Sequence, residues 1–300
     1  MASTHDYNKD SRNKDIKIYV DGKFFSRNNA KVSVMDSGYL LGDGVWEGLR
    51  YHKGELLHVD DHLDRLFIGA KNIKLDIGLS KSQMKAIIVK TLKINNMYSG
   101  VHIRLIVSRG IKSTPYQHPK VTIGSPTIVI IPEYKTANKE LLSKGITLGT
   151  VKTIRDYRVQ DPRINSLSKH NCISACIEAD NMGVDEALML DSQGYVSTCN
   201  STNFFMINGN QVWTSKGKNC LNGVTRKQVI RLCNENGIEV FEKNFVVGEV
   251  HSADEAFVTG TFAGIIPVSL VDNIRIGNGE RGYVTKKLQK IYHRDIGDLE

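Results

Sequence analysis

Hydrophobic positions along the chain switch between two periods, and the switches mark its elements. Ile16 to Val20, ending in Asp21-Gly22, predicts a strand running into a tight turn. Val45 to Tyr51, Lys53-Gly54 and Glu55 to His58 predict a second hairpin. Asp60 is placed to cap a helix in which Leu63, Leu66, Phe67 and Ala70 recur at helical spacing, and a further helix is predicted from about Lys81 to Ile94. Strands follow at Val101 to Val107 and Thr127 to Ile131, and the polar stretch Pro132 to Lys139 predicts a linker. Beyond it come a strand near Ile146, a helix from about Ser168 to Met182, and strands at Ala187 to Leu190 and Phe204 to Ile207. Val224 to Asn236 is a predicted helix stopped by Gly237. Strands near Val258 and over Val268 to Ile276 precede a last helix from about Tyr283 to His293.

Strands and helices are thus mixed without strict βαβ alternation, which predicts an α+β protein with two sheet-containing domains. The expected boundaries are a flexible leader over 1–14, a smaller N-terminal α/β domain over 15–133, a linker over 134–140 and a larger C-terminal domain over 141–300. A chain of 300 residues with 40% hydrophobic and 24% charged positions has the length and composition for two globular cores. No apolar run is long enough to span a bilayer, and the polar stretch Met1 to Asn13 lacks the apolar region of a secretory signal. A cytoplasmic location is expected. The five cysteines are odd in number and contain no C-x-x-C pair, which fits a reducing compartment. Cys172 and Cys176 can share a helix face, but no His or carboxylate stands at metal-ligand spacing, so no metal is expected. The net charge of +8 is interspersed with acids and carries no nucleic-acid reader motif. It predicts a pull on small anions, with no nucleic-acid or membrane partner.

Four stretches then change the picture. They are Val32-Ser-Val-Met-Asp36 leading into Leu41-Gly-Asp-Gly-Val-Trp-Glu-Gly-Leu-Arg50; Asp61-His-Leu-Asp-Arg-Leu66; Leu221-Asn-Gly-Val-Thr-Arg226; and Thr259-Gly-Thr-Phe-Ala-Gly264 followed by Ile-Ile-Pro267. Together, and in this order, they resemble the class IV aminotransferases, the group of branched-chain and D-amino-acid aminotransferases and aminodeoxychorismate lyase. The resemblance covers nearly all of the chain after the leader. It implies the class IV fold: two α/β domains with the active site in the cleft between them, pyridoxal 5'-phosphate as cofactor, a small amino acid or keto acid as substrate, and a homodimer. Arg65 matches the arginine that binds the cofactor phosphate, a role suited to a guanidinium; the alternative is a surface ion pair with Asp61 or Asp64. Gly223, Val224 and Thr225 match the loop whose backbone N–H groups meet the phosphate at a helix start, and Thr261 matches a further phosphate contact. An ordinary helix entry and a backbone-bonded threonine are the plainer readings. Trp46 matches an aromatic wall of the pocket, and Arg104 a site near the substrate carboxylate. Core packing and a strand-edge ion pair are their alternatives.

The catalytic stretch departs from that family. Its lysine precedes a Ser-Leu-Asn-like run, whereas here the text is Asp161-Pro-Arg-Ile-Asn165-Ser-Leu-Ser-Lys169-His170. The family's next landmark, a glutamate, aligns with Thr198, and Asn165 lies 33 positions ahead of it against 29 for Lys169. The spacing assigns the lysine position to Asn165. Asparagine neither bonds covalently to an aldehyde cofactor nor acts as a base near neutral pH, so the cofactor is expected to be held without the usual covalent bond unless Lys169, one helical turn further along, supplies the amine. His170 falls where several members carry a tyrosine on the cofactor's phenolic oxygen and can carry a proton. Thr198 offers the pyridine nitrogen a neutral hydrogen bond in place of a carboxylate, which weakens the ring as an electron sink. The expectation is altered or weakened transamination. A lyase or hydrolase using Asn165, His170 and Thr198, with or without cofactor, and a non-catalytic protein binding a phosphorylated ligand remain the alternatives.

Overall fold

The structure, a computed structural model, describes residues 9–298. The described residues form two compact units, one from residues 9–136 together with Ile164–Lys169, the other from Ala137–Arg163 and residues 170–298.

The first unit carries strands β1 (Lys17–Val20), β2 (Lys23–Ser26), β3 (Gly44–His52), β4 (Glu55–Leu56), β5 (Val101–Ser108) and β6 (Thr127–Tyr134). They form one antiparallel sheet in the order β2-β1-β6-β5-β3-β4. Asp21 and Gly22 both take positive φ between β1 and β2, the conformation a two-residue hairpin requires. Its helices are α1 (Ser37–Leu41), α2 (Val59–Asn72) and α3 (Lys81–Ile94). Helix α3 begins at a capping box made by Ser80 and Gln83 and buries Met84, Ile88 and Leu92, spaced one turn apart. Helix α2 starts differently from the expectation. His58, in the left-handed region, is its N-cap, and Asp60 lies in the first turn, where it complements the helix dipole.

Along β5 the side chains alternate: Val101, Ile103, Leu105 and Val107 enter the core, whereas His102, Arg104 and Ile106 lie on the opposite face. The register pairs Trp46 with Ile106, Gly48 with Arg104 and Arg50 with His102, so these β3 residues share that second face. Val45, Glu47 and Leu49 therefore point into the core, which places one carboxylate among hydrocarbons. Two expectations shift here. Strand β6 continues to Tyr134, the first residue of the expected linker over 134–140. Part of the predicted leader is anchored: Ser11–Lys14 forms a 3-10 turn, and the Asn13 side chain both donates to the Tyr134 carbonyl and accepts from its N–H, at 2.8 Å each. Residues 1–8 of the leader lie outside the described residues.

The second unit is built on a nine-stranded sheet. Its strands are β7 (Ile146–Thr150), β8 (Glu186–Leu190), β9 (Val196–Cys199), β10 (Asn203–Asn208), β11 (Gln211–Thr214), β12 (Glu239–Glu242), β13 (Glu255–Gly260), β14 (Gly264–Val271) and β15 (Ile274–Arg275). The order is β12-β11-β10-β13-β14-β7-β8-β9, with β15 folding back on β14. The stretch expected as one strand to Ile276 is thus a hairpin turned by Asp272 and Asn273, both at positive φ. The helices are α4 (Leu141–Lys144), α5 (His170–Met182), α6 (Val224–Glu235), α7 (Val247–His251) and α8 (Tyr283–Asp295). Parallel pairs β7–β8 and β14–β7 combine with antiparallel neighbours, and the whole is α+β. Among the described residues no helix is long and apolar enough to cross a membrane.

Candidate active site

In the first unit, the segment Ile164–Lys169 returns from the second half of the chain and lies along the start of β3. The Trp46 N–H donates to the Asn165 carbonyl at 2.9 Å, the Leu167 N–H to the Gly44 carbonyl at 3.0 Å, and the Trp46 indole N–H to the Ser166 carbonyl at 3.2 Å. Gly42, at φ +67°, sits against the Ser168 backbone, where an added Cβ would come within 3.0 Å of its Cα. The segment is thereby fixed by main-chain bonds and one obligatory close approach. It is not helical: it bends at Ile164 and Leu167, bridges β3 at Ser166, and α5 starts only at His170, so Lys169 stands just ahead of the helix.

Four of the predicted residues meet on this surface. Asn165 is buried, and its Oδ1 accepts from the Lys169 Nζ at 3.1 Å. Lys169 Nζ also lies 5.3 Å from the centroid of the Trp46 ring, and the Arg104 guanidinium stacks on the same ring at 3.7 Å. Burial holds Arg104 below its ordinary range, against the opposing pull of Glu133 and Glu47. The His102 ring comes over Gly48, whose missing side chain leaves it room.

Arg65 has a buried partner that the sequence reading did not name. Its Nε and Nη2 both donate to the Glu47 carboxylate at 2.7 Å, and His62 Nδ1 lies 2.7 Å from the same group. Asp64 instead faces solvent and pairs with Lys81. Burial pushes the Glu47 carboxyl up, but the Arg65 charge and the hydrogen bonds from His62 and Arg65 outweigh it and hold the group below the usual carboxylate range. Glu47 and His62 are site-supporting residues that the sequence reading passed over. The alternation Val45, Glu47, Leu49 carried the signal.

In the second unit, Gly223 is the N-cap of α6, and Val224 and Thr225 fill its first turn. As a glycine, Gly223 offers no side-chain cap, and Val224 and Thr225 are each only 5% exposed. The Asn203 side chain packs over Gly223 so closely that a Cβ there would lie 2.2 Å from its Oδ1, while its Nδ2 donates to the Leu221 carbonyl at 2.9 Å. Asn203 is the register partner of Thr259, whose buried hydroxyl has no hydrogen-bond partner among the described residues. Thr261 begins the turn two residues beyond. Asn203 and Thr259 are brought to the helix start by strand register, which no local pattern in the sequence announces.

Thr198 is buried in β9, and its hydroxyl donates to the Thr202 carbonyl at 2.8 Å. The Thr202 hydroxyl in turn donates to Glu186 at 2.9 Å, as do the Ser201 N–H and hydroxyl. Complete burial nevertheless pushes the Glu186 carboxyl above its usual range. His170 opens α5 and is exposed.

The sequence model of the family described as "Amino-transferase class IV" matches residues 44–271. The chain belongs to the class IV aminotransferases. A putative branched-chain-amino-acid aminotransferase of Methanocaldococcus jannaschii is 38% identical over 285 residues, covering 94% of this chain and 96% of the relative. A D-alanine aminotransferase of Listeria monocytogenes is 30% identical over 295 residues, covering 95% and 99%. Among solved structures, a T.th. branched-chain amino acid aminotransferase with pyridoxamine 5'-phosphate superposes with a TM-score of 0.89 at 27% identity, covering 94% of each chain. The same enzyme complexed with N-(5'-phosphopyridoxyl)-L-glutamate gives 0.87. The class IV fold is thus established together with the family. Within this class IV chain, Asn165 is set against Lys169 and the buried Thr198 is neutral.

Proposed function

We propose that this class IV protein binds pyridoxal 5'-phosphate and acts on the amino group of a small amino acid or keto acid, with a weakened transamination step. The observation that carries the reading is the start of α6. A buried helix end leaves several N–H groups without acceptors, a state that costs about 1–3 kcal/mol per group unless a partner arrives. A phosphate dianion is the partner such an end suits, both by hydrogen bonding and by the helix dipole. Gly223, Val224, Thr225 and Thr261 would hold it.

When bound, the group supplies an electron sink for bonds at the amino-bearing carbon of the substrate. The chain's own residues temper that chemistry. Asn165 carries no amine and no titratable proton. Thr198 has committed its hydroxyl proton to Thr202, so toward a ring nitrogen it offers lone pairs and no charge. Arg104, desolvated and stacked on Trp46, suits a substrate carboxylate, and His170 is the proton carrier. The relatives named for branched-chain amino acids and for D-alanine support a small amino acid as substrate class. The exposed apolar residues Val34, Tyr39 and Ile123 suit a subunit contact, which supports a homodimer. The five free cysteines suit a cytoplasmic setting.

The test has two stages. Titration with pyridoxal phosphate should give saturable binding that inorganic phosphate competes away. Single-turnover conversion of pyridoxamine phosphate with a panel of keto acids should then be slower than for a lysine-bearing relative by about 10²–10⁴-fold, the value of positioned acid–base catalysis. It should slow further in His170→Ala. Absence of saturable binding refutes the reading, and brisk turnover refutes its weakened step. Release of ammonia in place of keto-acid exchange would favour a lyase.

A further inference from the structure

We propose that Lys112 and Thr122 form a site for one small monovalent anion, of the chemistry of chloride, under the loop of residues 111–123. The loop follows β5 in the first unit, and main-chain bonds close its base. The Ser113 N–H donates to the Val121 carbonyl and the Ile123 N–H to the Ile111 carbonyl, at 2.8 Å each. These bonds flank an isolated antiparallel bridge between Lys112 and Thr122. The bridge residues exchange no hydrogen bond themselves. They are therefore a non-hydrogen-bonded pair, whose side chains project to one face at the closer of the two antiparallel spacings. Gly110 pins the entry to the loop: at φ +101°, an added Cβ would stand 2.4 Å from the Ser125 carbonyl oxygen. The Lys112 N–H donates to the Met35 carbonyl at 2.9 Å, which holds the bridge against the segment ahead of α1.

The polar atoms on that shared face are under-satisfied. Ile111, Tyr116 and Ile123 of the loop are exposed, yet Lys112 is only 1% exposed. Among the described residues its ammonium has no carboxylate partner, and its one hydrogen bond is long, Nζ to the His118 carbonyl at 3.5 Å. That carbonyl already accepts from the Val121 N–H at 3.3 Å. The Thr122 hydroxyl is buried and has no partner among the described residues. A buried ammonium needs a counter-charge as well as acceptors; water or a carbonyl satisfies its donors and leaves the charge uncompensated. The charge count sets the ligand class. One ammonium and one hydroxyl neutralise and bind a monovalent ion, whereas a phosphate dianion would bring surplus charge and more acceptors than this face has donors. The enclosure of the lysine favours a compact ion over an organic acid. The bound anion ties the two arms of the loop together, so its concentration sets how often Lys112 is uncovered.

The experiment moves the full chain from sodium gluconate into sodium chloride at constant ionic strength and follows amine acetylation by peptide mapping. Lys112 reacts only when the loop opens, and Lys120, exposed in the same loop, is the control. At a chloride concentration ten times the dissociation constant, acetylation of Lys112 should slow about tenfold while Lys120 is unchanged. Thr122→Val keeps the lysine and removes the hydroxyl. It should raise the chloride half-point about tenfold or more, the value of a hydrogen bond to a charged group. Lys112→Met should abolish the chloride dependence of the melting temperature seen in the parent protein. A bromide-soaked crystal should show anomalous density within hydrogen-bond distance of Nζ. Equal acetylation of Lys112 in the two salts overturns the site, and so does slowing of Lys120 alongside it, which is a general salt effect. A half-point unmoved in Thr122→Val, or bromide density only elsewhere, overturns it too.

Discussion

Glu47→Gln tests the internal support of Arg65. The wild-type carboxylate is fully buried and accepts from Arg65 Nε, Arg65 Nη2 and His62 Nδ1, each at 2.7 Å. Glutamine keeps the shape but turns one acceptor oxygen into a donor facing donors, and it removes the carboxylate charge that Arg65 faces. Breaking a buried pair costs about 3–5 kcal/mol. The Arg65 side chain, at 16% exposure, can recover some hydration, which points to the lower end, about 3 kcal/mol. For a protein of this size that corresponds to roughly 5 °C in Tm. The pH dependence gives a second handle. Glu47 is held below its usual range in the folded state, so its stabilisation is complete above the unfolded value of about 4.3 and is lost as pH falls through the folded value. Melting curves of both proteins by circular dichroism from pH 7 down to pH 3 should therefore show a constant gap at neutral pH that narrows only below about 4.3. A gap of less than 2 °C at pH 7, or one already closing between pH 7 and 5, would refute the reasoning.

Gly223→Ala forces a Cβ against Asn203 Oδ1 and should destabilise by about 1–3 kcal/mol as an overpacked site. Adding Asn203→Ala should return most of that loss in a double-mutant cycle followed by thermal melts, and equal losses in both backgrounds would disprove the contact. Asn165→Lys should place an amine directly at the vacated position, giving a borohydride-stable adduct at residue 165 and a gain of about tenfold or more in keto-acid conversion; an inert variant would show that residue 165 does not face the reacting group. Removing residues 1–14 deletes the two Asn13–Tyr134 hydrogen bonds and should cost about 1–2 kcal/mol in urea unfolding, whereas an unchanged midpoint would mark the turn as ornamental.

What the sequence disclosed and what it withheld divide along local and non-local lines. Helix α3 was legible to both ends because Ser80 and Gln83 announce its start and Met84, Ile88 and Leu92 repeat at its own period. The start of α2 was misplaced because a left-handed His58, not an acidic cap, begins it. Strands β9 and β11 were missed: each has four residues, too few for an alternation to stand out. The family motifs led to the residues of the candidate site, yet not to their partners. Arg65 was weighed against Asp61 and Asp64, its sequence neighbours, whereas the buried carboxylate that grips it from β3 lies eighteen residues away. Lys169 likewise stands ahead of α5, whose start the sequence reading had placed two residues early.

Because Ile164–Lys169 completes the first unit, no single cut of the chain separates the two units cleanly. A fragment ending at Thr136 would present the Trp46 N–H and the Gly44 carbonyl bare at the start of β3, a template for self-association. Supplied in trans, a short peptide spanning 164–169 would have its docking track already built. The recombinant unit worth making is therefore a circularly rearranged one, with that hexapeptide spliced beside β3 and the natural excursion through residues 137–163 left out.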